Sequence, residues 1–207
     1  MSVAGSAAPQ SPHATRSDDT HAALLVMDVQ VATVQAHADP GYTTRLRRAI
    51  DAARAARLPI IFVKAEFRPG YPEVSARSRV YTAIAAAGGL APGDPGLPFH
   101  PGTAPGPNDI VVTKRRTSAF SGSDLEVLLR SLRIDTLVLA GLRTSGVVEA
   151  TLREAVDRDY SVVVLADGCG DADPELQRVL LEKICARYGD VLSIDDWIGR
   201  LPQPTAR

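Results

Sequence analysis

Short apolar segments alternate with amphipathic segments along most of the chain, and this alternation limits the fold more than any other feature. The segment Ala23–Met27 is entirely apolar and is followed by Asp28, as expected for a central strand that is buried on both faces. Five further segments have the composition of strands, and they lie at residues 59–64, 109–114, 136–140, 161–166 and 191–194. The sequence therefore predicts an α/β fold around a mostly parallel sheet of about six strands.

Helical patterns occupy the intervals between most of these strands. They are predicted at residues 43–57, 123–132 and 146–158, where apolar residues recur at helical spacing. A further helix opens at Asp173, which is a suitable N-cap and is followed directly by a proline. These helices supply the crossovers that a parallel sheet requires.

The segment from Glu66 to Asn108 breaks this rhythm because it is rich in proline and glycine. A loop of this length in a compact domain is usually functional or disordered. We predict that it covers an active site and contains a short helix near residues 80–87. We expect residues 1–20 to form a disordered tail and residues 21–207 to form one domain.

Composition and charge exclude several classes of function. The formal net charge is -1, so no bulk electrostatic signal points to nucleic acid or to an acidic membrane surface. No apolar run approaches the roughly 20 residues that span a bilayer. The N-terminal segment has no charged region followed by an apolar one, so it is not a secretory signal. We expect a cytoplasmic protein whose partner is a small-molecule substrate.

The chain contains two cysteines, Cys169 and Cys185, which are too few for a disulfide framework. They lie in separate segments, without a CxxC pair or a nearby histidine cluster. We therefore predict two reduced thiols, no metal site and no cofactor.

Polar residues mark the carboxyl ends of three predicted strands. Asp28 follows the first strand, Lys114 ends the third, and the turn 141–146 follows the fourth. Ligands of open α/β sheets bind at this edge, so these positions predict a site. Asp28 and Lys114 are either a structural ion pair or an acid/base pair whose members tune each other's pKa.

Four segments of the chain resemble motifs of the isochorismatase-like (cysteine hydrolase) superfamily, and they occur in the same order as in that family. Leu24–Gln30 resembles its DxQ strand end, and Lys114–Phe120 resembles its K-x-R-x-S-A-F segment. The spacing of the fourth strand and the following helix resembles G-x-x-T-x-x-C-V-x-x-T, with Gly141, Thr144, Val148 and Thr151 in place, and Asp167 resembles the aspartate of the next strand. The resemblance covers about residues 22–195 and implies a three-layer α-β-α hydrolase fold.

The family's catalytic triad is an aspartate, a lysine and a cysteine, and the resemblance assigns the first two to Asp28 and Lys114. The cysteine position falls on Val147, which has no nucleophilic atom. Cys169 lies after the next strand and is not expected to replace it. The true isochorismatases resemble this chain in keeping the aspartate and lysine, but they carry a glycine at the nucleophile position, whereas Gly146 lies one residue early here.

Several neighbouring residues are candidate substrate contacts. Backbone N–H groups of Gly146 and Val147 are predicted to stabilise an oxyanion or to bind a carboxylate. Four side chains are predicted to bind substrate, and they are Gln30, Arg116, Phe120 and Thr144. Arg115, His100 and Tyr71 have alternative interpretations as surface or packing residues. Burial would raise the pKa of Asp28 and Lys114 would lower it, so the sequence leaves open whether Asp28 is an acid or a charged base.

The leading hypothesis is an isochorismatase-like hydrolase in which Asp28 and Lys114 hydrolyse a small enol-ether-like metabolite without a covalent intermediate. A lyase or isomerase that uses the same pair is one alternative, and a catalytically retired binding or scaffold protein is another. The family's nicotinamidase branch carries a zinc site after the second strand, but residues 64–68 contain no histidine here. Zinc is therefore not expected, while the resemblance implies a homo-oligomer, either dimer or tetramer.

Overall fold

The computed structural model describes residues 21–202, in which six parallel strands form one sheet in the order β3-β2-β1-β4-β5-β6. The strands are β1 (Ala22–Met27), β2 (Ile60–Ala65), β3 (Ile110–Lys114), β4 (Thr136–Leu142), β5 (Ser161–Gly170) and β6 (Asp190–Leu192). The chain starts at the centre of the sheet, extends to one edge, and returns to the centre before it extends to the other. All the carboxyl ends therefore lie along the same side.

Strand β1 shows why the sheet is covered on both faces. Leu25 and Met27 belong to one hydrophobic core, whereas Leu24 and Val26 belong to a second core on the opposite face. Successive side chains of a strand point in opposite directions, so a wholly apolar strand requires a helical layer on each side. The predicted three-layer α-β-α architecture is confirmed.

The described residues contain seven α-helices. They are α1 (Val31–His37), α2 (Tyr42–Ala55), α3 (Arg79–Ala86), α4 (Leu125–Ser131), α5 (Glu149–Val156), α6 (Pro174–Val179) and α7 (Ile194–Gly199). Helices α2 and α7 supply buried residues to one core, and α4 and α5 supply them to the other. In α2 the buried side chains Tyr42, Leu46, Ala49, Ile50 and Ala53 form the apolar stripe of an amphipathic helix.

The observed elements differ from the predicted ones at one strand and at two helices. Strand β5 continues beyond Ala166 because Cys169 and Gly170 remain paired with β4, although the apolar run has ended. The helix predicted from Gly146 begins instead as a wide helical turn over Thr144–Val148, which leads into α5. Helix α1 was not predicted, because its seven residues lack a strong apolar period.

The segment from Glu66 to Asn108 consists of turns around α3 and a short 3-10 helix at Pro101–Thr103. Its last part lies over the end of β1, where Val31 N donates to Pro98 O at 2.9 Å and His100 N donates to Val29 O at 2.9 Å. The short helix predicted near residues 80–87 is present. The predicted tail at residues 1–20 lies outside the described residues, and no helix between residues 21 and 202 is long and apolar enough to cross a membrane.

Gly141 provides a test of the contact between the two central strands. A Cβ atom at this position would lie 2.3 Å from the Met27 carbonyl oxygen, so Gly141→Ala must push β4 away from β1. We expect the free energy of unfolding to fall by about 1–3 kcal/mol, the usual cost of overpacking, as measured by urea denaturation. Gly199→Ala is the control, because a Cβ there meets nothing within 4 Å. Equal stability of the two variants would contradict the close approach.

Candidate active site

Asp28 and Lys114 meet at the carboxyl edge of the sheet, although β2 lies between their strands. The Lys114 Nζ atom lies 2.8 Å from Asp28 Oδ2, and only 5% and 11% of the two side chains are exposed. Asp28 adopts a left-handed backbone conformation with φ 54°, which is uncommon for a residue other than glycine and leads the chain out of β1. The pair predicted from the strand ends is therefore formed and buried.

Each member of the pair has a second feature that bears on its chemistry. Lys114 Nζ also donates to the Arg116 carbonyl oxygen at 3.0 Å, which fixes the ammonium group between two acceptors. The other carboxylate oxygen, Asp28 Oδ1, is buried and has no hydrogen-bond partner among the described residues. An orphaned buried oxygen is costly, so Oδ1 is the atom that a proton, a water molecule or a substrate would satisfy.

Burial raises the pKa of Asp28, and this effect is larger than the opposing effects of the Lys114 charge and hydrogen bond. The sequence left the direction of this shift open, and the structure gives it, because loss of hydration penalises the carboxylate more than one ammonium partner stabilises it. A carboxyl group with a raised pKa can serve as a general acid.

The turn after β4 forms the adjacent part of this edge. Thr144 is fully buried, and its Oγ1 atom has no hydrogen-bond partner in the described part of the chain. The Gly146 N–H donates to the Arg143 carbonyl oxygen at 3.1 Å, so the oxyanion role predicted for Gly146 requires this bond to be shared or released. Val147 is 3% exposed and belongs to a hydrophobic core together with Ala119.

Gln30 is placed beside the pair, but its side-chain amide is already engaged. Its Nε2 atom donates to Leu97 O at 2.6 Å and to Ala65 O at 3.2 Å, and its Oε1 atom accepts from Ala65 N at 3.0 Å. These bonds connect the end of β1 to β2 and to the segment from Glu66 to Asn108. The geometry gives Gln30 a positioning function, and its predicted contact with substrate stays a prediction.

The remaining candidates are spread over a wider region. Arg116 stacks over Tyr81, with its guanidinium carbon 5.2 Å from the ring centroid. The Phe120 ring lies 6.0 Å from that of Tyr160, which directly precedes β5, and its predicted contact with substrate stays a prediction. His100 Nδ1 accepts from Gly102 N at 3.2 Å within its own turn.

Tyr71 also stays within its own segment, where its hydroxyl donates to Gly89 O at 3.0 Å. Asp167 lies inside β5, and its side chain accepts from Ile194 N at 2.7 Å. This bond ties β5 to α7 and indicates a structural role for Asp167.

Both thiols are buried away from solvent. Cys169 lies in β5 opposite Gly141, and its Sγ atom is 3.8 Å from Leu139 O. Burial raises the pKa of Cys169 well above its usual range and raises the pKa of Cys185 to about 11. Since the thiolate is the reactive form of cysteine, neither side chain has the properties of an activated nucleophile.

Sequence reasoning missed three residues that shape this edge. The Thr33 hydroxyl donates to the Asp28 carbonyl oxygen, and Asp171 accepts from Ser145 N at 2.9 Å. Glu73 pairs with Arg115, Nε to Oε1, at 2.9 Å. The spacing of Thr33 after Gln30 is that of a helix-capping pair and was a usable signal, whereas Glu73 and Asp171 depend on contacts between distant segments.

Solved structures with the same architecture define the class of protein. An isochorismatase family protein from Burkholderia thailandensis is 30% identical and has a TM-score of 0.76, over 87% of this chain and 95% of that chain. A cysteine hydrolase from Pseudomonas syringae pv. phaseolicola has a TM-score of 0.77 at 24% identity, over 87% and 92% of the two chains. The fold is that of the isochorismatase-like hydrolases.

The isochorismatase domain family matches residues 22–196 of the sequence. The ureidoacrylate amidohydrolase RutB of Methylobacterium radiotolerans is 31% identical, over 92% of this chain and 84% of that protein. The N-carbamoylsarcosine amidase of an Arthrobacter species is 35% identical, but over 48% of this chain and 39% of that protein. The chain belongs to the isochorismatase family.

The raised pKa of Asp28 predicts how stability depends on pH. A carboxyl group with a higher pKa in the folded state stabilises fully below its unfolded pKa of about 3.9, and this contribution is lost as pH rises through the folded pKa. We expect the unfolding free energy of the wild type, minus that of Asp28→Asn, to fall with rising pH by at most about 1.4 kcal/mol per pH unit. Urea unfolding of both proteins over a pH series measures this difference in unfolding free energy. A difference that rises with pH would contradict the raised pKa of Asp28.

Proposed function

We propose that the protein is a hydrolase in which Asp28 and Lys114 form an acid/base pair and no covalent intermediate is made. The observation that carries this proposal is the buried pair itself, with a raised pKa at Asp28 and a free oxygen at Oδ1. The proposed substrate is a small metabolite with an enol ether or a related group. A general acid next to an apolar core suits such a bond, because its cleavage begins with protonation.

The proposed mechanism assigns a separate task to each atom of the pair. The Asp28 Oδ1–H group donates its proton to the double-bond carbon of the enol ether, which leaves a cationic carbon next to the ether oxygen. Lys114, at Oδ2, stabilises the carboxylate that remains. Water then adds to the cationic carbon and returns a proton to Asp28, and the resulting adduct breaks down into an alcohol and a carbonyl compound.

Two observations support a route without a thiol. The family's cysteine position is assigned by resemblance to Val147, whose side chain packs in the core and carries no nucleophilic atom. Cys169 is held in β5 with a raised pKa. A thiolate at either position is therefore not part of the proposed reaction.

Hydrolysis of a small amide or ureido compound is the second candidate function. It is favoured by the relatives named ureidoacrylate amidohydrolase and N-carbamoylsarcosine amidase. In this case Asp28 and Lys114 would activate a water molecule, because no thiol is assigned to attack the carbonyl carbon. A substrate panel that contains both enol ethers and ureido compounds separates the two candidates.

We also propose that the segment from Glu66 to Asn108 covers the site. The hydrogen bond from Gln30 Nε2 to Leu97 O attaches this segment to the end of β1, two residues from Asp28. A cover of this kind excludes water from the pair and preserves the raised pKa of Asp28. A homo-oligomer remains the expectation from the family resemblance.

Substitution of the pair tests the proposed function. With purified protein and the substrate panel, we expect Asp28→Asn and Lys114→Met each to lower kcat/KM by about 100- to 10,000-fold, the range for loss of a general acid or base. Since a lone buried charge destabilises the fold, the double variant is measured alongside by circular dichroism. Matched controls are Lys64→Met and Glu66→Gln, which remove the more exposed ion pair at the end of β2. Turnover that survives both Asp28→Asn and Lys114→Met would refute the proposal, and absence of turnover on every compound would favour a binding or scaffold protein.

The position of the nucleophile is tested by exchanging thiols. We expect Cys169→Ala to leave kcat/KM within about twofold of the wild type, because a buried thiol of raised pKa takes no part in catalysis. We expect Val147→Cys to gain hydrolysis of ureido compounds and sensitivity to iodoacetamide. Inactivation of the wild type by iodoacetamide that disappears in Cys169→Ala would instead establish a relocated nucleophile.

A further inference from the structure

A cavity lies between the segment from Glu66 to Asn108 and the loop that directly follows Lys114 at the end of β3. Its volume is about 370 Å³, and its lining residues are Arg68, Glu73, Arg115, Arg116, Ser121 and Gly122. Three of these side chains are guanidinium cations and one is a carboxylate. The lining therefore carries two more positive charges than negative ones.

Glu73 holds the arginines together. Its carboxylate pairs with Arg68 and lies 2.9 Å from Arg115 Nε, while its backbone carbonyl accepts from Arg116 Nη2 at 2.9 Å. Burial opposes ionisation of Glu73, but the hydrogen bonds from the backbone and from Arg68 lower its pKa overall. One ionised carboxylate cannot neutralise three guanidinium groups, so the cavity keeps a positive field.

The arginines differ in the donors that they retain. Arg116 uses Nη1 and Nη2 for the carbonyl oxygens of Arg115 and Glu73. The terminal nitrogens of Arg115 make no hydrogen bond to any residue between 21 and 202. The Arg68 side chain contacts Glu73 and is 60% exposed. A guanidinium group presents five N–H donors in a planar fork, which matches the oxygens of a carboxylate or a phosphate.

A hydrogen bond connects the lining of the cavity to the Asp28–Lys114 pair. Lys114 Nζ donates to the Arg116 carbonyl oxygen at 3.0 Å, and the same atom lies 2.8 Å from Asp28 Oδ2. Arg115 and Arg116 follow Lys114 directly in the chain. A ligand that draws these arginines together thus acts on the backbone that positions the lysine.

We propose that this cavity is an anion-binding site for a carboxylate or phosphate group, and that its occupancy is coupled to the Asp28–Lys114 pair through the Arg116 carbonyl. The anion has two possible sources, which are the charged end of the substrate and a separate free anion. Binding at the cavity does not depend on the proposed function, whereas the coupling rests on it.

Isothermal titration of the full chain with inorganic phosphate, and separately with malonate, tests the site. We expect saturable binding at low ionic strength that weakens about tenfold or more in Arg68→Gln and in Arg115→Gln, because each loses a charge-assisted contact. Arg77→Gln and Arg79→Gln are matched controls, since both arginines are exposed and neither lines the cavity. If Arg115→Gln fails to fold, Arg68→Gln still tests the proposal, because the Arg68 side chain is exposed. No binding, or equal binding in all four variants, would overturn the proposal.

The coupling has its own readout, which does not require turnover. Carbon-13 NMR of the Asp28 carboxyl group follows its titration with and without saturating phosphate. Since an added negative charge disfavours the carboxylate, we expect the midpoint to rise in the wild type and to rise less in Arg68→Gln at the same phosphate concentration, because the variant binds phosphate more weakly. An unchanged midpoint at full occupancy would refute the coupling while leaving the binding site intact.

Steady-state kinetics then separates the two sources of the anion. If the site takes the charged end of the substrate, phosphate competes with substrate, and Arg68→Gln raises KM without lowering kcat. If the site takes a free anion, phosphate changes kcat without competing. Either pattern supports the site, and the binding measurements remain valid if the proposed hydrolase activity is refuted.

Discussion

The buried ion pair between Asp28 and Lys114 is the interaction on which the rest of the site depends. Two charges leave water when this pair forms, and their attraction offsets that cost only if their remaining hydrogen-bonding capacity is also satisfied. Lys114 meets this condition through the Arg116 carbonyl, whereas Asp28 leaves Oδ1 without a described partner. Burial raises the pKa of Asp28, and its Oδ1 atom has no hydrogen-bond partner among the described residues.

The fold supports this pair by placing three parallel strands side by side. Asp28 and Lys114 belong to β1 and β3, and β2 separates them, so Lys114 reaches across the end of a neighbouring strand. The Gln30 side chain bonds both to Ala65 at the end of β2 and to Leu97 in the segment from Glu66 to Asn108. These bonds tie the end of β1 to β2 and to that segment, two residues from Asp28 in the chain.

The strands and the charged pair could be predicted from the sequence, because the patterns that indicate them lie within short segments of the chain. The apolar runs gave the strands, and the charged residues at their ends gave the pair, since a buried parallel strand exposes polar groups only where it ends. The extension of β5 to Gly170 was missed because its last residues are held by pairing with β4 rather than by apolar character. The packing of the Phe120 ring beside Tyr160 was not predictable from the sequence, because it joins segments that are distant in the chain.

The sequence by itself determined the α/β class, the family motifs and the presence of a valine at position 147, because each of these is a property of neighbouring residues. Only the tertiary structure decided that Asp28 has a raised pKa, since that direction is a difference between desolvation and attraction that depends on depth of burial. The convergence of Arg68 and Arg115 on Glu73 was likewise decided by tertiary structure. Segments far apart in the chain meet there, and no local pattern encodes the distance between them.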